Sequence, residues 1–138
     1  MKTVELFLAV GLYTSGILGL EIVLADKWLW TASPAHAFGL VIFIAIDIIL
    51  LLAIWNGTTL SKIGALIISI LQLGLMLADL IGGHPSGISQ HTFRNYLLND
   101  IQFVGLLLVQ IVTFGFASFA LTGRKLQLRR LLLSKTGS

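Results

Sequence analysis

The chain reads as an all-α integral membrane protein, an antiparallel four-transmembrane-helix bundle with N and C termini cytoplasmic. Three observations lead there. Of 138 residues, 57% are hydrophobic and only 11% charged, with a mean hydropathy of +0.97. Nine basic and six acidic side chains cannot cover a water-facing surface, since soluble domains carry about a quarter charged residues. Four stretches also approach the about 20 apolar residues that an about 30 Å hydrocarbon core requires. Finally, Lys and Arg are distributed unevenly between the segments that join them.

The first span runs from about Val4 to Leu24, broken by Glu5 and Glu21. Its apolar region is too long for a secretory signal, and no small-x-small cleavage pattern precedes Asp26 and Lys27. The second span covers about His36 to Trp55, with Pro34 just ahead as a start signal. The third covers about Ile63 to Ile81 and stops at Gly82, Gly83 and Pro85. The fourth covers about Ile101 to Leu121 and ends at Gly123. Long continuous runs favour helices over the short alternating segments of a barrel. The whole chain, 1–138, is one domain.

With four spans both termini share a side. Lys2, Lys62, Arg124, Lys125, Arg129, Arg130 and Lys135 fall on it, against Lys27 and Arg94 opposite, which makes that side cytoplasmic. The expected location is the plasma membrane, multi-pass. Asn56 to Thr59 is a short cytoplasmic turn. Trp28 and Trp30 suit an interfacial belt in the first outer loop. Phe93, Tyr96 and Leu97, spaced three and four apart, predict a short helix lying on the outer surface. The basic, leucine-rich tail within 124–138 is expected to extend the fourth helix or to lie on anionic lipids. Those positions at the membrane edge, rather than nucleic acid, account for the net charge of +3.

Polar residues inside the spans carry the functional information, because a charge at a helix centre costs roughly 2.5–3.5 kcal/mol. Asp47 lies eleven residues into the second span. Thr14 and Ser15, Gln72 and Gln110 fall midway along the other three, so one polar group per helix is expected at one level. Asp47, Gln72 and Gln110 then serve either as a proton relay or as interhelical hydrogen bonds worth about 1–2 kcal/mol. A second group gathers toward the outside: His36, Glu21, Asp79, His84 and His91, with Asp100 opening the fourth helix. Gln72 and Asp79 share a helix face, as do His36 and Asp47.

The outer group suits three ligands unequally. A metal needs donors converging at about 2.0–2.2 Å, and no HxxxH or HxxE spacing arranges them, so no metal site is expected. A bis-histidine haem would have to pair His36 with His84 or His91 from the loop. A quinol needs only an apolar groove and a histidine or carboxylate to take its proton. No cofactor is predicted outright; quinone and haem are the two that the residues could take. Without cysteine there is no thiolate metal site and no thiol chemistry. Nucleotide loops, HExxH and serine triads are absent, so no catalytic residue is expected.

Small-residue ridges run along Gly11, Ser15 and Gly19 and along Gly74, Ala78 and Gly82, where helices of this chain or a partner can approach closely. The leading functional expectation is a small non-catalytic subunit of a larger membrane complex, a respiratory-chain or other electron-transport assembly, with other integral membrane subunits as partners. The first alternative is a quinol- or haem-binding redox protein using His36 with Glu21 and Asp79 above a proton-relay Asp47. The second is an oligomeric proton-coupled transporter.

Overall fold

In the computed structural model the backbone is described for residues 3–82 and 85–135, and side chains for 3–82 and 85–122. Among the described residues the chain is wholly helical: α1 (Thr3–Ala25), α2 (Lys27–Ala32), α3 (Pro34–Trp55), α4 (Thr59–Ile81), α5 (Gln90–Asn99) and α6 (Ile101–Lys135). Four segments are long and apolar enough to cross a membrane: α1, α3, α4 and Ile101–Thr122 of α6. The protein is a multi-pass membrane protein.

Each start has a local cause. The Asp26 side chain accepts from the Leu29 N–H at 3.0 Å and caps α2. Pro34 is itself the first residue of α3, where its missing N–H is not needed. The Thr58 hydroxyl caps α4 through the Ser61 N–H at 3.2 Å, which starts this span at Thr59 rather than at Ile63. The turn before it uses Gly57 at φ +70°, a conformation that suits glycine. Ser89 caps α5, and Asp100 accepts from the Gln102 N–H at 2.9 Å to open α6. Gly123 does not end α6, whose backbone continues helically to Lys135; the lipid contacts expected of the tail's side chains lie outside the described residues.

Helices α1, α3, α4 and α6 form a ring in which α1 touches α3 and α6, and α4 touches α3 and α6. A Cβ on Gly19 would lie 3.0 Å from Ile44 and one on Gly105 would lie 3.4 Å from Leu18, while Gly11 sits directly against Thr113. The ridge on α1 therefore serves the bundle itself. Its partner ridge does not: Gly74, Ala78 and Gly82 are all exposed. We expect Gly11→Val, which drives a side chain into Thr113, to destabilise the fold by about 1–3 kcal/mol. A thermal melt in lipid nanodiscs unchanged from wild type would contradict this packing.

Between the helices the interior has three levels. One apolar cluster, around Ile22, Leu29, Met76, Phe93, Phe103 and Leu106, fills the end carrying α2 and α5. A second, around Leu8, Leu12, Ile54, Ala65, Ile68 and Ala117, fills the end nearer the α3–α4 turn. Asp47, Ser15, Gln72 and Gln110, all buried, sit on the four long helices. Beyond the second cluster Lys62 Nζ donates to Glu5 Oε1 at 2.6 Å. Each span keeps an exposed apolar face, as at Phe7, Ile49, Ile67 and Ile111, that is open to lipid or another chain.

Two features of the connecting segments differ from expectation. The Trp28–Trp30 loop contains α2; Trp28 packs against Tyr96 with ring centres 4.3 Å apart and planes tilted by 46°, and the Trp30 indole donates to the Val23 carbonyl at 2.7 Å. The helix carrying Phe93 and Leu97 does not lie on the surface by its apolar side. Both residues are buried in the first cluster, because α5 caps the bundle end.

Candidate functional site

The end of the bundle covered by α2 and α5 holds a cavity of about 300 Å³. Leu40 and Phe43 from α3, Leu75 and Met76 from α4, and Phe103 and Leu106 from α6 make apolar walls. Phe93, Tyr96 and Leu97 close it from α5. Ala35 and Leu75 are exposed and Gly39, Leu40 and Phe43 half-buried, so its open side lies between α3 and α4. A Cβ at Gly39 would meet nothing within 4 Å.

The polar groups in this wall come from different helices. His36 Nε2 lies 2.9 Å from Asp79 Oδ1 across the α3–α4 boundary. His36 Nδ1 bonds to the Ser33 hydroxyl, one turn earlier at the start of α3. With Asp79 as a carboxylate, the ring carries its proton on Nε2 and accepts from Ser33 at Nδ1. The pair remains reachable, with side chains 36% and 18% exposed. Phe93 meets the imidazole edge-on at 6.2 Å. Gln90 Nε2 donates to the carbonyls of Asp79 and Leu80 at 3.1 and 3.0 Å, fastening α5 to the end of α4.

Gln72 lies in the same cavity wall, one side of the deeper polar layer. There the Ser15 hydroxyl donates to Asp47 Oδ2 at 2.6 Å, and Gln110 Nε2 donates to Ser15 Oγ at 2.6 Å. Gln72 Nε2 makes a longer contact, 3.5 Å, with Asp47 Oδ2. The structure thus brings Asp47, Gln72 and Gln110 together, with Ser15 rather than Thr14 as the α1 member.

The expected outer cluster divides. His36 and Asp79 meet. Glu21 does not join them: it is exposed and lines an adjoining cavity of about 400 Å³ with Asn99 and Gln102, which shares Asp26 and Asp100 with the first. His91 is exposed on α5, with only a 3.5 Å contact to Asn95. His84 lies outside the described residues. Among the described residues no three His, Cys, Asp or Glu side chains converge on one point. An axial haem role would require His36 to give up one of its two present partners.

Sequence reasoning passed over Ser33 and the Tyr96–Asp26 pair. The Ser33-x-x-His36 spacing at a helix start is a readable signal for the first. Nothing local marks the second, in which the Tyr96 hydroxyl donates to Asp26 from seventy residues away. Burial pushes the Tyr96 phenol above its ordinary value of 10.0, and the Asp26 and Asp100 carboxylates push in the same direction. A raised folded-state value means that this contribution to stability is whole below about pH 10 and is lost as the pH climbs through the folded value. We expect alkaline difference absorbance between wild type and Tyr96→Phe to show no Tyr96 phenolate as the pH passes 10. A phenolate band already present there would contradict the buried pairing.

Fold and site together define a multi-pass membrane protein with a ligand-sized apolar cavity walled in part by a histidine–carboxylate pair. No known family model, curated protein or solved structure matches the chain.

Proposed function

We propose that this protein is a plasma-membrane binding protein for a small apolar molecule with a hydrogen-bonding head, of the quinol–quinone class. In this reading the four spans form an antiparallel bundle with both termini cytoplasmic, and the cavity opens toward the outer leaflet. The observation that carries it is the cavity of about 300 Å³, apolar along most of its wall, with the partly exposed His36–Asp79 pair in that wall. Ligand pockets have this composition: apolar walls that supply affinity and a few fixed polar groups that orient the head. An imidazole and a carboxylate side by side can accept a hydroxyl proton and donate to a ring carbonyl. The side opening suits a ligand that arrives through lipid. Titrating a short-chain quinone into the protein in nanodiscs is expected to give saturable binding above lipid partitioning. Partitioning alone, indistinguishable from empty nanodiscs, would sink the proposal.

A second reading is that of a non-catalytic subunit of an electron-transfer assembly, and it is compatible with the first. The exposed Gly74, Ala78 and Gly82 stripe supports it, since small residues let a partner's helix approach. Native mass spectrometry of gently extracted protein would find it with larger membrane subunits, and recovery of the chain alone would count against this reading. The proton-coupled transporter reading gains nothing from the interior: between the Asp47 layer and the Glu5–Lys62 pair lies the apolar cluster of Leu8, Leu12, Ile54 and Ile68.

A further inference from the structure

The hydrogen-bond inventory of the middle layer does not close. Asp47 is 2% exposed, Gln72 5% and Gln110 0%. Yet Asp47 Oδ1, Gln72 Oε1 and Gln110 Oε1 are buried without a donor among the described residues. A buried acceptor without a donor is costly, and here three lie in one buried layer, one of them on a carboxylate. The charged groups that could neutralise Asp47 sit elsewhere. His36 and Asp79 engage each other toward one end, and Lys62 is spent on Glu5 at the other.

Three occupants could relieve this. A proton on Asp47 Oδ1 makes one new donor, which satisfies one amide oxygen and leaves the other bare. A water offers two hydrogens for three oxygens and leaves the carboxylate charge uncompensated. A monovalent cation takes all three oxygens at once, adds the Ser15 hydroxyl and cancels the charge. Turning either amide over does not help: Gln72 would set its oxygen against Asp47 Oδ2, and Gln110 would set its oxygen 2.6 Å from a Ser15 hydroxyl that already donates to Asp47.

We infer that Ser15, Asp47, Gln72 and Gln110 form a binding site for a small monovalent cation of the Na⁺ type. Oxygen ligands alone, one charged and the rest neutral, suit a hard ion of charge one. Access is from the cavity side, where Gln72 is part of the wall and Asp26, Asp79 and Asp100 also line the space. The opposite side is sealed by Leu8, Leu12, Ile54 and Ile68, which makes this a dead-end site and not a passage. The inference does not depend on what occupies the cavity.

The test compares full-length protein in nanodiscs in sodium chloride and in choline chloride at equal ionic strength. The melting temperature is expected to rise by several degrees with Na⁺, saturably, because an ion that binds only the folded state stabilises it by mass action. Labelling of Asp47 by a hydrophobic carbodiimide, read by peptide mass spectrometry, is expected to slow about tenfold at Na⁺ ten times its dissociation constant. Asp47→Asn and Gln110→Met are each expected to reduce the melting shift; if the first fails to fold, the second carries the localisation. Identical melting and labelling in the two salts would overturn the inference in favour of a proton or water. A Na⁺ shift that survives in the variants would overturn it too, by moving the ion to the carboxylates at the bundle end.

Discussion

Phe93→Ala is expected to cost about 3–5 kcal/mol, the largest loss of any single truncation in this bundle. Phe93 is 1% exposed, the largest of the fully buried side chains among the described residues. It is the anchor by which a ten-residue helix holds to the bundle end, packing against Trp28 with ring centres 6.2 Å apart and against the edge of His36. Truncation leaves a void beside the existing cavity and frees one edge of the imidazole. The four spans keep their own contacts, so the damage is local: α5 should become cleavable by protease added to nanodiscs while the spans stay protected. Wild-type resistance of α5 together with an unchanged melting temperature would mean that the cap is held by something else.

His36→Ala and Gly39→Leu are expected to weaken ligand binding by opposite routes. The first removes the group that bonds Asp79 and Ser33, so a ligand head loses its oriented partner and affinity falls at least about tenfold, the equivalent of about 1.4 kcal/mol. The second fills space. Gly39 lines the cavity and a Cβ there meets nothing within 4 Å, so a leucine side chain is expected to occupy part of the void. Replacing a mid-helix glycine also favours the helix by up to about 1 kcal/mol. A protein that is as stable as wild type, or more so, yet no longer binds separates occupancy of the cavity from folding. Quinone titration of both variants beside their melting curves reads this directly; undiminished affinity in Gly39→Leu would place the ligand elsewhere.

The spans were legible because apolar length is a strong signal, and their starts were legible wherever a cap was read. Asp100, just ahead of Ile101, is such a case; Pro34 was left outside a span placed at His36, and Thr58 was passed over, so that the span it starts was placed at Ile63 instead of Thr59. Depth counting brought Asp47, Gln72 and Gln110 to one level, since helices crossing the same slab share a ruler. Rotation about each axis was not legible in that way. Glu21 shares a face with Thr14, but that face turns away from His36, and only packing against α3 and α6 decides it. The spacing of Phe93, Tyr96 and Leu97 showed an apolar side without showing what covers it. Helix α2, six residues between Asp26 and Ser33, is too short for periodicity to register.

The most direct measurement of the central claim is photo-crosslinking with an azido-quinone in nanodiscs, mapped by peptide mass spectrometry. Label is expected to concentrate on the Gly39–Phe43 and Gln72–Asp79 peptides, which both contribute to the cavity wall, and to be competed away by unlabelled quinone. Label scattered over outward-facing residues such as Leu52, Ile67 and Ile111, and insensitive to competitor, would contradict it.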